Sequence, residues 1–139
     1  MSTGNWIATF FIAAGIFLVI DLSWLSLVAN SLYSRLLGDL KRESPSVPAA
    51  LLFYTIFVAG LVWFAVRPAL DGGSGGDLGS AALNGALYGL ATYATFDLTN
   101  AAVIRNYPAA LVPLDMAWGT VLSCAVATGA TYCARSLFL

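Results

Sequence analysis

The stretch that decides the fold is IFLVIDLSWLSL, residues 16–27, a membrane-type apolar run that contains an aspartate, Asp21. The same arrangement recurs further along the chain around Asp97 and Asp115, so three of the seven acidic residues lie within apolar runs. An aspartate at the centre of a membrane helix costs about 2.5–3.5 kcal/mol on insertion scales. Such residues usually face the interior of a helix bundle and mark a functional site.

The composition is that of an integral membrane protein. The chain has 139 residues, of which 60% are hydrophobic and 9% are charged, and its mean hydropathy is +0.84. A soluble domain has about 25% charged residues. The net charge of −1 gives no basic surface for nucleic acid. The chain has no histidine, so we expect no His-ligated haem or metal within it.

Four apolar segments each approach the roughly 20 residues that are needed to span a membrane. They are residues 6–28, 47–66, 80–104 and 109–133. Arg67-Pro68 is expected to end the second segment, and the glycine-rich run at residues 71–80 predicts a flexible loop. We therefore predict an all-α integral membrane protein, a single domain of four transmembrane helices over residues 1–139.

The connection between the first two segments, residues 30–47, has leucines and a tyrosine at helical spacing. It predicts a short amphipathic segment that lies in the interface or continues the first helix out of the bilayer. Basic residues set the orientation, since they favour the cytoplasmic side. One side of the membrane has Arg35, Lys41, Arg42 and Arg105, and the other has Arg67 and Arg135. This distribution predicts that both termini lie outside and that the connections with Arg35, Lys41, Arg42 and Arg105 lie in the cytoplasm.

The three aspartates are predicted to lie at one depth. Asp21 and Asp97 each lie about seven residues before the end of a segment, and Asp115 lies about six after the start of one. At a rise of about 1.5 Å per residue, all three fall about 10 Å inside the same boundary. Tyr54 falls at that depth as well. The sequence therefore predicts one shared site.

Helical spacing adds aromatic and amide side chains to this site. On the third segment, Tyr93 and Asn100 share a helical face with Asp97, and a tryptophan follows each of the other two aspartates by three residues. We expect the three aspartates to act as acid, base or cation-holding groups, which makes them the candidate catalytic residues. The candidate ligand-binding residues are Tyr54, Tyr93, Asn100, Trp24 and Trp118.

Clustered, buried carboxyls disfavour each other's charge, so at least one is expected to hold a proton at neutral pH. The cluster would then be a proton donor, a proton relay or a cage for a hard cation such as Mg²⁺. The structural alternative is that protonated acids hydrogen-bond the helices together, with Asn100 and Tyr93 as partners.

Four motifs carry a family resemblance. They are DLSWL at residues 21–25, LFYTIFVAGL at 52–61, YGLATYATFDLTNAAV at 88–103 and DMAWGTVL at 115–122. In these motifs the chain resembles an uncharacterised bacterial membrane-protein family, domain of unknown function 2177. The resemblance implies a four-helix bacterial inner-membrane protein and supplies no established activity.

Three functions are compatible with these observations. The first is a site that binds or acts on an apolar ligand, such as a lipid, an isoprenoid or another hydrophobic small molecule, entered from the membrane. The second is a proton- or cation-coupled small transporter that works as an oligomer. The third is a non-catalytic accessory subunit of a larger membrane complex. The expected partners are membrane lipid and a second copy of the chain or another membrane protein.

Overall fold

The computed structural model describes residues 1–72 and 77–139, so most of the predicted glycine-rich loop lies outside the described residues. Within the described part, every regular element is a helix. Four long helices follow one another along the chain: α1 (Thr3–Leu40), α2 (Val47–Asp71), α3 (Leu78–Val103) and α4 (Leu111–Phe138). The prediction of an all-α protein is confirmed for this part of the chain.

Among the described residues, three helices are long and apolar enough to cross a membrane. The mean hydropathy of their most apolar 18 residues is 2.2 for α1, 2.3 for α2 and 1.4 for α4. Helix α3 is long enough at 26 residues, but it has two asparagines and several threonines and is not one of the three. Four transmembrane helices therefore stay a prediction, as does the amphipathic segment in the interface.

The predicted end of α2 at Arg67-Pro68 is wrong, because the helix continues to Asp71. A wide π-turn at Val62–Val66 ends two residues before Pro68. Proline has no N–H to donate to the carbonyl four residues earlier, and a local change of helix type accommodates that loss. At the start of α4, Pro113 lies in the first turn, where a missing N–H costs little.

Helix α1 contains a second π-turn, at Leu25–Ala29, in which the Asn30 N–H bonds to the Leu25 carbonyl. Such a turn inserts one residue and rotates the following face of the helix by about 100°. In a regular helix Tyr33 would point about 120° away from Asp21, whereas the inserted residue reduces the difference to about 20°. The π-turn thus brings Tyr33 onto the same face as Asp21, and α1 continues beyond it to Leu40.

The helices pack side by side so that α1 contacts α2 and α4, and α3 contacts α2 and α4. The closest pair is α3 with α4, which meet at glycines. A Cβ atom added to Gly85 would lie only 2.6 Å from the Ser123 carbonyl oxygen. One added to Gly89 would overlap the Gly119 carbonyl oxygen. Small residues of this kind allow helix backbones to approach closely in a membrane.

Helices α2 and α3 are closest along the second half of α2. Gly60 there lies against the Tyr88 hydroxyl, which donates a 3.0 Å hydrogen bond to the Phe57 carbonyl. Contacts of α2 with α3 then concentrate in Val62–Asp71. The earlier part of α2, Val47–Leu61, packs mainly against α1 and meets α3 chiefly at Phe57 and Gly60, so α2 and α3 diverge towards the start of α2.

The glycine contact between α3 and α4 gives a stability prediction. Gly89→Ala should lower the thermal stability of the purified protein by about 1–3 kcal/mol, because the added methyl overpacks the helix contact. The matched control is Gly15→Ala, since a Cβ there meets open space and should be neutral or slightly stabilising. Thermal unfolding in detergent, followed by circular dichroism, measures both. Equal midpoints for the two variants would contradict the close contact.

Candidate functional site

Asp21 connects three helices. Its side chain is buried with 8% exposure, and its Oδ2 atom accepts a hydrogen bond of 3.0 Å from the Tyr54 hydroxyl of α2. Its Oδ1 atom accepts a hydrogen bond of 3.2 Å from the Trp118 indole nitrogen of α4. The carboxyl of α1 is thus satisfied by two neutral donors, one from each neighbouring helix.

Two indole rings close the site on one side. The rings of Trp24 and Trp118 stack with their centroids 4.3 Å apart and their planes at 10°. The Trp24 indole nitrogen also donates to the Tyr33 hydroxyl over 3.4 Å. Because these side chains come from α1 and α4, the stack fixes the two helices relative to each other at the level of the carboxyls.

Asp115 is reached from the far end of α1. The Tyr33 hydroxyl donates a hydrogen bond of 2.9 Å to its Oδ1 atom, across 82 positions of the chain. This contact depends on the π-turn of α1, which rotates Tyr33 towards the interior.

Asp97 is the most enclosed of the three acids, with no exposed surface. Its Oδ1 atom accepts a 3.1 Å hydrogen bond from the Tyr107 hydroxyl. Its carboxyl lies within hydrogen-bonding reach of the Asp115 carboxyl. Its Oδ2 atom has no hydrogen-bond donor among the described residues. Two carboxyl groups can share a hydrogen bond only if one of them holds a proton.

Tyr107 reaches Asp97 because the chain reverses direction between α3 and α4. Asn106 adopts a left-handed backbone with φ of 62°, a conformation that asparagine tolerates better than most residues. The Tyr107 N–H then bonds to the Ile104 carbonyl over 3.4 Å. Burial raises the pKa of the Tyr107 phenol, and the phenol is therefore the protonated donor at neutral pH. The Asn100 side chain also lies beside this phenol.

The remaining predicted residue, Tyr93, lies between Asp21 and Asp115. Its ring covers Gly119 of α4 and meets the Phe57 ring edge-on at 5.9 Å. Its hydroxyl is within electrostatic reach of both Asp21 and Asp115. Gly119 makes this position accessible, since a side chain there would displace the ring.

The three predicted carboxyls thus form two groups rather than one compact cage. Asp97 and Asp115 form a pair, and Asp21 lies within electrostatic reach of Asp115 with donors of its own. Across residues 1–72 and 77–139, no three histidine, cysteine or acidic side chains are placed to hold a metal ion. A single Mg²⁺ held by all three aspartates is therefore not supported by this geometry, and catalytic or binding roles for these residues stay predictions.

Two grooves meet at Asp115. The lateral groove, of about 390 Å³, opens between the diverging parts of α2 and α3. Its walls are Phe53, Phe57, Thr92, Tyr93, Phe96 and Asp115. The end groove, of about 400 Å³, lies between the last turns of α1 and the connection from α3 to α4. Its walls are Tyr33, Leu37, Leu40, Phe96, Ile104, Tyr107, Leu111 and Asp115. Phe96 and Asp115 belong to both grooves.

A family model described as "Predicted membrane protein (DUF2177)" matches residues 6–133, nearly the whole chain. The protein belongs to the DUF2177 family. The resemblance of the four sequence motifs to this family is therefore confirmed, and with it the assignment as a membrane protein with apolar helices. No curated protein and no solved structure matches the chain.

Several residues of this DUF2177 site were missed by sequence reasoning. The phenol donors Tyr33 and Tyr107 were not among the candidates, and neither were the aromatic walls of the lateral groove. A usable signal was present, because both tyrosines flank the predicted spans on the side where the aspartates lie. Buried carboxyls without basic partners require neutral donors, and tyrosines at the adjoining helix ends are the side chains that supply them.

The Tyr107 contact gives a prediction for this site. Tyr107→Phe should destabilise the protein by about 1–3 kcal/mol, because it leaves the buried Asp97 carboxyl without its phenol donor. Tyr132→Phe is the matched control, since Tyr132 is 55% exposed and lies near the other end of α4 from Asp115. Thermal unfolding of the two variants in the same detergent measures the difference. A Tyr107→Phe protein as stable as the control would show that this hydrogen bond contributes nothing to the fold.

Proposed function

We propose that this DUF2177 protein binds an apolar ligand, a lipid or an isoprenoid, that enters from the membrane between α2 and α3. The observation that carries the proposal is the lateral groove, which has aromatic walls and the Asp115 carboxyl in one of them. Ligand sites are typically concave and mostly apolar, with a few placed polar groups, and their volumes are about 300–1,000 Å³. The groove has these properties.

The position of the groove supports entry from lipid rather than from water. Phe53 on α2 and Phe96 on α3 form its rim, with 45% and 59% of their surfaces exposed. Aromatic side chains exposed on apolar helices contact acyl chains in a bilayer. An apolar chain can therefore pass between them without crossing a polar surface.

The carboxyls would supply the chemistry of the site. Asp115 lies at the junction of the two grooves and is paired with Asp97 behind it. In protonated form the pair would act as an acid towards the ligand, and in ionised form it would hold a cation. Asp21, Tyr54 and Trp118 would hold α1, α2 and α4 in place around the pocket.

A second candidate is proton- or cation-coupled transport by an oligomer. It is supported by a continuous series of side chains, in which the Tyr107 phenol contacts Asp97, Asp97 faces Asp115, and Asp115 accepts from Tyr33. Such a series joins the end groove to the interior, as a proton relay would. The oligomer itself, whether of copies of this chain or with another membrane protein, stays a prediction of the sequence.

We also propose that α3 is the fourth membrane span, in a bacterial inner membrane, with both termini outside. Helix α3 packs against α2 and α4, and its glycine face is buried against α4. A helix packed in this way can cross a membrane with lower hydropathy because protein covers part of its polar surface, with Asp97 buried and Asn84 and Asn100 half-buried. The bias of basic residues towards the Lys41-Arg42 connection supports the orientation.

The ligand proposal is tested by photo-labelling of the purified protein in lipid nanodiscs. A hexadecanol that has a diazirine near the end of its chain should label peptides from α2 and α3. Thr92→Trp should reduce this labelling several-fold, because Thr92 lines the lateral groove and the indole would fill it. Thr95→Trp is the matched control, since Thr95 lies on the exposed face of the same helix. Equal labelling of the two variants and the wild type would reject a ligand in the groove.

The topology is tested with reporter fusions at both ends of the chain. Four spans place the two termini on the same side, whereas three spans without α3 would place them on opposite sides. We expect a periplasmic phosphatase to be active, and a cytoplasmic fluorescent reporter to be dark, at either terminus. Opposite readings at the two ends would show that α3 does not cross the membrane.

A further inference from the structure

We propose that the end groove holds the ammonium headgroup of an amine-bearing amphiphile whose apolar chain lies in the lateral groove. The inference rests on the proposed function and specifies the class of its ligand. It starts from adjacency, because the two grooves share Phe96 and Asp115 as walls. A molecule with its apolar chain in the lateral groove would bring its polar end to the shared carboxyl, which also faces the end groove.

The walls of the end groove are suited to a donor of hydrogen bonds. Three of its residues present oxygen atoms, namely the carboxyl of Asp115 and the hydroxyls of Tyr33 and Tyr107. The other described residues in the walls are apolar. An ammonium group has three donors and no acceptor, and it matches a pocket in which a carboxylate is the charged group.

Charge favours an ammonium over a neutral head. The Asp97–Asp115 pair keeps one negative charge when it shares one proton, and no other described residue donates a hydrogen bond to the buried Asp97 Oδ2 atom. Among the described residues, no lysine or arginine lines either groove that meets at this pair. A buried charge is costly unless it is paired, and the ligand's ammonium would pair it.

The same charges disfavour an anionic head. A phosphate placed in the end groove would face the Asp115 carboxyl, and none of the described residues in its walls is basic. Arg35 lies on α1 between two groove residues, but its side chain is exposed and is not part of the walls. Lys41 follows α1, and its ammonium donates hydrogen bonds to Asn30 Oδ1 at 2.6 Å and Ser34 Oγ at 2.7 Å, which hold it against that helix.

The experiment compares three competitors with one chain length and different heads. Hexadecylamine, hexadecanol and hexadecyl phosphate each compete with the diazirine hexadecanol for labelling, in nanodiscs of uncharged phosphatidylcholine. The neutral bilayer prevents a general enrichment of the amine at an anionic surface. We expect hexadecylamine to halve the labelling at a concentration about tenfold or more below that of hexadecanol, since hydrogen bonds to charged groups are about twice as strong as neutral ones. Hexadecyl phosphate should compete least.

Variants assign the effect to the acid pair. Asp115→Asn removes the charge and keeps an acceptor for Tyr33, so the advantage of hexadecylamine over hexadecanol, measured as the ratio of their competing concentrations within the same variant, should disappear. Asp97→Asn, which keeps an acceptor for Tyr107, should reduce the same advantage and serves if the first variant does not fold. The matched control is Asp71→Asn at the end of α2, where Asp71 pairs with Arg67 at 3.3 Å. This control should keep the advantage in full.

The outcomes separate the two proposals. If the photoprobe labels the groove but the amine has no advantage, or its advantage survives both acid variants, the ammonium site is rejected and the apolar ligand site stands. If the phosphate competes best, the ammonium site is rejected as well. If the photoprobe does not label the groove in the wild-type protein, the proposed function fails and the headgroup site fails with it.

Discussion

The structure depends on one constraint: the buried carboxyls of Asp21 and Asp97 and the half-buried carboxyl of Asp115 lie among apolar side chains, and among the described residues their hydrogen-bond donors are neutral. Burial of an unpaired charge is costly, so each acid must either hold a proton or accept hydrogen bonds from neutral donors. The protein supplies phenols and indoles for this purpose. Asp21 binds Tyr54 and Trp118, and each of these contacts joins α1 to a different helix. The acids therefore determine which helices are neighbours at this depth.

The two contacts of α3 are unequal, and the difference creates the site. Towards α4 the glycines at positions 85 and 89 bring the backbones close enough for a Cβ atom to meet a carbonyl oxygen. Towards α2, contact is concentrated in Val62–Asp71, and the helices diverge beyond Gly60. The space between α2 and α3 is therefore wedge-shaped. Tyr88 closes its narrow end, and aromatic rings line its wide end, which is the lateral groove. Close packing on one side of α3 thus leaves room on the other side.

The carboxyl of Asp21 has more hydrogen-bond donors than the carboxyls of Asp97 and Asp115 have. On the side of α1 and α2, Asp21 has a donor for each of its oxygens. On the side of α3 and α4, Asp97 and Asp115 have one phenol each and face one another. Asp115 lines both grooves, so under the proposed function a ligand that entered either groove would meet this pair. For that proposal the asymmetry assigns the ligand contact to Asp97 and Asp115 and a structural role to Asp21.

The sequence by itself determined the membrane class and the helical fold, and it predicted a common depth for the acids, because hydropathy and the rise of a helix are local properties. It also placed Asp97 and Tyr93 on an inner face. Only the tertiary structure decided that Tyr33 and Tyr107 serve the acids. The first depends on a π-turn that rotates one half of α1 against the other, and the second on a left-handed residue between two helices. The lateral groove likewise depends on the distance between α2 and α3. Periodicity gives an angle about a helix's own axis, whereas the register and separation of two helices are set by contacts between residues far apart in the chain.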